Sequence, residues 1–413
     1  MHMEIAYYLA GPFRELVTMQ ALPLKGALKD SALRIIRNGG ILWKEGWIEA
    51  VDDFETLASR PGVTVMEQMI KGVVLPGFID MHTHLAFGGS RAADFALRNS
   101  GSTYLEIAES GGGIWSTVKA TRALTIEALA ALTAQRANAL LQQGVTTIEV
   151  KSGYGLSVAE ELKCLRAIAE ARRITGASLV ATCLAAHMLP ADFNGSVAAY
   201  LELMVNELLP VIKEEQLARR VDAFIERSAF SAAQILPYFK SAKAMGFDIT
   251  VHADQFTPSG TEVAITVGAR SADHLEHSTD KEIALLAHAD VAAVALPGAS
   301  MGLGCKFAPV RKLLDAGCSV AIATDWNPGS APMGNLMLQA SVLASFEKLT
   351  NAEVLAAITY RAAAALGFKD RGVLAPGYRA DFIVYDADSY QEIPYQQGRL
   401  QPAQVWKSGA RIV

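Results

Sequence analysis

His82 and His84 stand two residues apart at the end of the apolar run Val73–Ile79, in the stretch Pro76-Gly-Phe-Ile-Asp-Met-His-Thr-His-Leu85. On a β-strand, residues two apart project from the same face, so both imidazoles converge on one point. Two ligands of a single metal ion need that placement, although two hydrogen-bonded core histidines would share it. Other residues bear on the choice. His252 lies in Ile249-Thr-Val-His252-Ala-Asp254-Gln255, and His274 in Ser271-Ala-Asp273-His274-Leu-Glu-His277. Asp325 follows an apolar run and opens Asp325-Trp-Asn327-Pro-Gly329-Ser330, while His187 follows Leu184-Ala-Ala186. Six of the eight histidines thus sit at or near the ends of strand-like runs. Three imidazoles and a carboxylate around one ion suit zinc or iron, with a position left for water.

The elements that would position these residues follow a simple rhythm. Eight β-rich runs begin near Phe78, Val145, Leu179, Val221, Asp248, Ser271, Val291 and Ser319, each followed by a helix-like segment. Runs such as Val291-Ala-Ala-Val-Ala-Leu296 are apolar throughout, as expected of parallel strands covered on both faces. Eight alternating units predict a (β/α)8 barrel of the TIM type, whose active site gathers at the C-terminal strand ends. Residues 1–75 and 370–413 are both β-like and predict a small composite β-sandwich domain built from the two termini, with the barrel over 76–369. The triplet Gly111-Gly-Gly113 lacks a following Gly-Lys-Ser/Thr and reads as an active-site loop or turn, not a phosphate cradle.

This constellation resembles the amidohydrolase superfamily, whose strands 1, 5, 6 and 8 carry His-x-His, His, His and Asp at the matching places. The stretches 88–98, Tyr104, Gly111–Ile114, Lys151-Ser-Gly-Tyr-Gly155, Ala186-His187, Leu296-Pro-Gly-Ala-Ser300 and Asp325-x-Asn327-Pro-Gly329 are similar to the imidazolonepropionases. The resemblance implies hydrolysis of the cyclic amide 4-imidazolone-5-propanoate to N-formimino-L-glutamate, in histidine degradation. It also implies one divalent or trivalent ion per subunit, zinc or iron, held by His82, His84, His252 and Asp325. Binuclear members add a carboxylated lysine on strand 4; here Val221-Asp-Ala-Phe-Ile-Glu-Arg227 offers none, so the expected site is mononuclear. Glu226 reads as a solvated or salt-bridged side chain.

By the same resemblance Asp325 shuttles the proton of the attacking water to the ring nitrogen and His274 holds the developing oxyanion. Arg91 takes the substrate carboxylate, a role for which a guanidinium fork is suited. Tyr104, Tyr154, His187, Gln255, Asn327, Gly329 and Ser330 complete the expected substrate contacts. Plainer readings stand beside these: Arg91 paired with Asp94 or Glu106, Tyr154 as a packing aromatic, Lys151 as a surface charge, Asn327 and Gly329 as turn formers. Family members can carry glutamate where this chain has Gln255, and an amide hydrogen-bonds but cannot shuttle protons. A related amidohydrolase acting on another heterocycle, a deaminase or lactamase, is the nearest alternative. A barrel kept only as a binding module would be expected to have lost its ligands.

Composition sets the remaining bounds. The 413 residues are 51% hydrophobic and 19% charged, with a net charge of −5, which gives no electrostatic footprint for nucleic acid or an anionic membrane. No apolar run reaches the roughly 18 residues needed to span a bilayer. Four scattered cysteines without a Cys-x-x-Cys pair suit a reducing compartment. A cytoplasmic enzyme taking a small carboxylate-bearing substrate is therefore expected, and the resemblance implies a homodimer.

Overall fold

The computed structural model describes residues 6–67, 69–102, 106 and 111–413. Five strands come first: β1 (Tyr7–Val17), β2 (Ile35–Lys44), β3 (Trp47–Asp53), β4 (Val63–Val65) and β5 (Val73–Pro76). Eight more alternate with helices: β6 (Phe78–Asp80), β7 (Val145–Lys151), β8 (Ser178–Ala186), β9 (Arg220–Ala223), β10 (Asp248–Ala253), β11 (Ser271–His274), β12 (Ala292–Ala295) and β13 (Val320–Ile322). The last three are β14 (Phe382–Tyr385), β15 (Gln404–Lys407) and β16 (Ala410–Arg411).

Strands β6 to β13 pair in sequence order, all parallel, and form the expected barrel. Strands β12 and β13 are buried on both faces, as their uninterrupted apolar runs required. Closure happens at the C-terminal end. Asp325 N donates to His82 O at 3.0 Å and His84 N to Trp326 O at 3.0 Å. Just below, the Asp80 carboxylate accepts Thr324 N at 3.0 Å and its hydroxyl at 2.6 Å. The bonds that close the barrel therefore run through the candidate ligands themselves. Several outer helices start on capping boxes, such as Thr279 with Glu282 and Thr350 with Glu353, which fix where each helix leaves its loop.

The remaining strands form one sheet in the order β16-β15-β14-β5-β1-β2-β3, with β4 also paired to β1. Register shifts between Ala10 and Phe13, around Pro12, which has no N–H to give a ladder. The sheet curls until its two ends meet: Trp43 on β2 packs on Trp406 of β15 with ring centroids 5.7 Å apart, and on Phe382 of β14 at 5.8 Å. The expected sandwich is thus a single sheet folded over an aromatic core. It is tied to the barrel through Gly77, between β5 and β6. A Cβ there would lie 2.4 Å from Thr146 Oγ1, so only glycine passes.

Asp370 fastens the same junction. It accepts Arg371 Nε at 2.9 Å and Arg379 Nε at 2.7 Å; Arg371 also reaches Thr147 on β7 at 3.1 Å, and Arg379 lies over the Trp47 ring of β3 at 4.7 Å. Partial burial pushes the Asp370 carboxyl up, but the two arginines outweigh it and hold its pKa at about 2. Because the folded value lies below the ordinary 3.8, this stabilisation is present above pH 4 and is lost as pH falls toward 2. Asp370→Asn is expected to lower the urea midpoint at pH 7 and pH 5 equally, with the gap to the parent protein shrinking by pH 3.

Candidate metal centre

The two histidines that follow β6 are buried, as is His252 on β10. His84 Nε2 lies 3.3 Å from His82 Nε2, 3.3 Å from His252 Nε2 and 3.2 Å from Asp325 Oδ1; His82 Nε2 is 3.5 Å from the same oxygen. Ligands about 2.0–2.1 Å from a tetrahedral zinc stand roughly 3.3–3.4 Å apart. Two of the three Nδ1 atoms are already engaged: His82 Nδ1 is 2.6 Å from Asp273 Oδ2, and His252 Nδ1 is 2.9 Å from Asp222 Oδ2. A proton on each Nδ1 leaves the Nε2 lone pairs pointing at one another, an arrangement that a cation among them relieves. Burial keeps His82 and His84 well below the ordinary histidine pKa, and brings His252 to about 3 despite Asp222. The donor set fits a single metal ion.

His274, on the neighbouring strand, differs. Burial acts against its charged form, but Glu276, with its Oε1 3.5 Å from Nδ1, and Asp325 carry its pKa above the ordinary value. His274 and Asp325 both adopt positive φ, 87° and 51°, as does Asp254 at 55°. Such conformations in non-glycine residues cost of order 1–3 kcal/mol and persist where surroundings enforce them.

Behind the candidate ligands lies a tier of charges. Lys151, for which a surface charge stood as an alternative reading, is only 1% exposed, with Glu149 Oε1 and Asp222 Oδ2 each 2.9 Å from its Nζ. Glu226 is buried and, among the described residues, makes no salt bridge. Its carboxylate accepts the amides of Phe256 at 3.0 Å and Thr257 at 2.9 Å, pinning the loop after β10 that carries Gln255.

A cavity of about 500 Å³ opens above this floor of His84, His252, His274 and Asp325. Arg91, Tyr154, His187, Gln255, Asn327, Gly329 and Ser330 line it, so the structure gathers every sequence-predicted site residue that it describes; Tyr104 lies outside the described residues. Arg91 Nε does pair with Asp94, leaving the guanidinium tip beside Gly329, where a Cβ would come within 3.2 Å of Nη1. Tyr154 is buried, and burial keeps its hydroxyl protonated. The Asn327 amide is used within the turn: Nδ2 donates to Asp325 O and Ser330 Oγ, and Oδ1 accepts the amides of Gly329 and Ser330. His277 Nδ1 bonds Gln255 O at 2.6 Å and fixes its backbone.

The amidohydrolase family model matches residues 73–412. Imidazolonepropionase of Myxococcus xanthus is 42% identical over 400 residues, covering 95% of each chain, and that of Bdellovibrio bacteriovorus is 44% identical over 405 residues, covering 96% of this chain and 94% of its own. The chain belongs to the imidazolonepropionases of the amidohydrolase family. Solved structures with the same fold include a triazine hydrolase variant (18% identical, TM-score 0.72, covering 99% and 95% of the two chains) and a zinc-bound adenosine deaminase from Xanthomonas campestris (19%, 0.70, 98% and 92%).

Sequence reasoning missed several residues around this candidate site. Asp273 and Asp222 orient His82 and His252, and each lies on a strand that the sequence did mark. Arg98, Phe224 and Phe256 also line the cavity, and nothing in their spacing signals it. Glu161 was missed because it acts through backbone: its carboxylate accepts Gly153 N at 3.2 Å and the amides of Gly155 and Leu156 at 2.8 Å. It thereby shapes the Tyr154 loop, and Gly153 O in turn bonds His187 Nδ1 at 2.9 Å. Glu161→Ala would strand three buried amides. It is expected to lower the unfolding free energy by about 3 kcal/mol or more in chemical denaturation, at roughly 1–3 kcal/mol per unsatisfied group.

Proposed function

We propose that this chain hydrolyses 4-imidazolone-5-propanoate to N-formimino-L-glutamate at one zinc or iron ion held by His82, His84, His252 and Asp325. The observation that carries this reading is the set of ring nitrogens and carboxylate at tetrahedral-edge distances, facing a cavity with an arginine in its wall. When bound, the ion supplies Lewis acidity that makes water nucleophilic near neutral pH and polarises the ring carbonyl. Three nitrogens and one oxygen suit either metal.

The chain's own residues divide the remaining work. Asp325 accepts the proton of the attacking water and delivers it to the ring nitrogen as the amide bond breaks. His274, whose charged form Glu276 favours, donates a hydrogen bond to the oxygen on which charge develops. Arg91, its Nε committed to Asp94, offers its terminal nitrogens to the propanoate carboxylate. Gln255 hydrogen-bonds the ring from a backbone fixed on both sides, by His277 and by the Glu226-held amides of the next two residues. Tyr154, His187, Gly329 and Ser330 contact the substrate along the walls, with Tyr104 as a further contact. A deaminase or lactamase acting on a neutral heterocycle would have no use for Arg91. Four free cysteines support a cytoplasmic setting, and among the described residues no helix is long and apolar enough to cross a membrane. We place the enzyme there as a homodimer.

Metal-replete protein is expected to consume 4-imidazolone-5-propanoate, followed as loss of ring absorbance. Arg91→Ala should lower kcat/KM about 100-fold or more, equivalent to about 2.7 kcal/mol of transition-state binding. An unchanged value rules out the carboxylate role. His84→Ala should abolish metal retention through gel filtration, read by elemental analysis.

A further inference from the structure

Lys151 belongs to a sequence motif that the reaction as written does not use, and it lies below the cavity instead of in its wall. Its ammonium is held by two carboxylates that are themselves buried, Glu149 and Asp222, each 2.9 Å from Nζ. Each carboxylate leads to a different part of the ligand set. Glu149 accepts the backbone amide of Thr83 at 3.2 Å, and its carbonyl accepts the Thr83 hydroxyl at 2.5 Å; Thr83 is the residue between His82 and His84. Lys151 N returns a bond to Thr83 O at 2.9 Å. Asp222, on the other side, receives the backbone N–H of His252 at 3.2 Å and stands 2.9 Å from its Nδ1. One unbroken chain therefore runs from the His-Thr-His segment, through Glu149, Lys151 and Asp222, to the histidine on β10.

From this connectivity, and resting on the metal reading above, we infer that Lys151 is a positioning residue that spaces His252 against His82 and His84. Without the ammonium, Glu149 and Asp222 are two buried anions with no cation between them, and Asp222 relaxes by turning away. That movement loosens the orientation of the His252 ring. A lysine that only stabilised the barrel would alter unfolding without changing how tightly the folded protein grips its ion.

The decisive measurement is zinc affinity, by competition with a chromophoric chelator, on folded protein stripped of metal. Lys151→Met is expected to bind zinc roughly 10- to 100-fold more weakly, the usual loss when a partner behind a metal ligand is removed. The double variant Glu149→Gln/Lys151→Met removes one charge of each sign. It should regain thermal stability toward the parent value while its zinc affinity stays at least tenfold weaker, and it carries the test if the single variant fails to fold. Zinc affinity within threefold of the parent protein in either folded variant overturns the inference while leaving the metal site standing. Parent protein that takes up no zinc or iron at all overturns both.

Discussion

Lone-pair crowding among three buried imidazoles is the constraint around which this molecule is built. Two Nε2 atoms, of His82 and His252, lie 3.3 Å from that of His84, with a carboxylate oxygen at 3.2 Å, all on buried side chains. Left to themselves these groups would separate or protonate. They are held by carboxylates on the far side of the rings, Asp273 for His82 and Asp222 for His252. The barrel's closing bonds add to this, since the backbone of His82 accepts from the backbone of Asp325. Ligand geometry and barrel closure are thus one structural problem, and neither strand can shift without disturbing both.

Around that rigid floor the loops are shaped by a recurring device. Glu161, Glu226 and Asp254 are buried carboxylates that accept several backbone amides each, from the Tyr154 loop, the Gln255 loop and residues 259–261 respectively. An irregular loop has amides that no ladder satisfies, and a carboxylate can take two or three of them at once. The cavity walls are consequently ordered by charge-assisted bonds from within and do not depend on packing alone.

What the sequence disclosed and what it hid divide along this line. The strand period made His82 and His84 legible, and the apolar runs placed all eight barrel strands, so that His252, His274 and Asp325 fell at predictable ends. Residues whose partners come from distant strands were misread. Lys151 could pass for a surface charge because Asp222 is two strands away, and Glu226 for a solvated or salt-bridged one because its partners are backbone amides. Asp273 sits next to His274 in the chain but serves His82, across the barrel. Nothing in one-dimensional spacing reports an acceptor on the opposite wall, and backbone donors leave no residue-type signature at all.

The curled terminal sheet imposes an order on assembly. Val74 of β5 pairs with Val384 of β14, and Trp43, stacked on Tyr8 nearby in sequence, meets Phe382 and Trp406 from more than 300 residues further on. On the ribosome, the first strands emerge with their aromatic face uncovered and remain so while the whole barrel is synthesised. Contacts this distant along the chain are slow to form, because the loop between them must be ordered first. The barrel that separates the two halves of the sheet is also what brings them together: once β6 to β13 have closed, the ends of the chain emerge side by side. Strands β14 to β16 can therefore join the sheet only after the barrel segment has been made, and with them its aromatic core is complete.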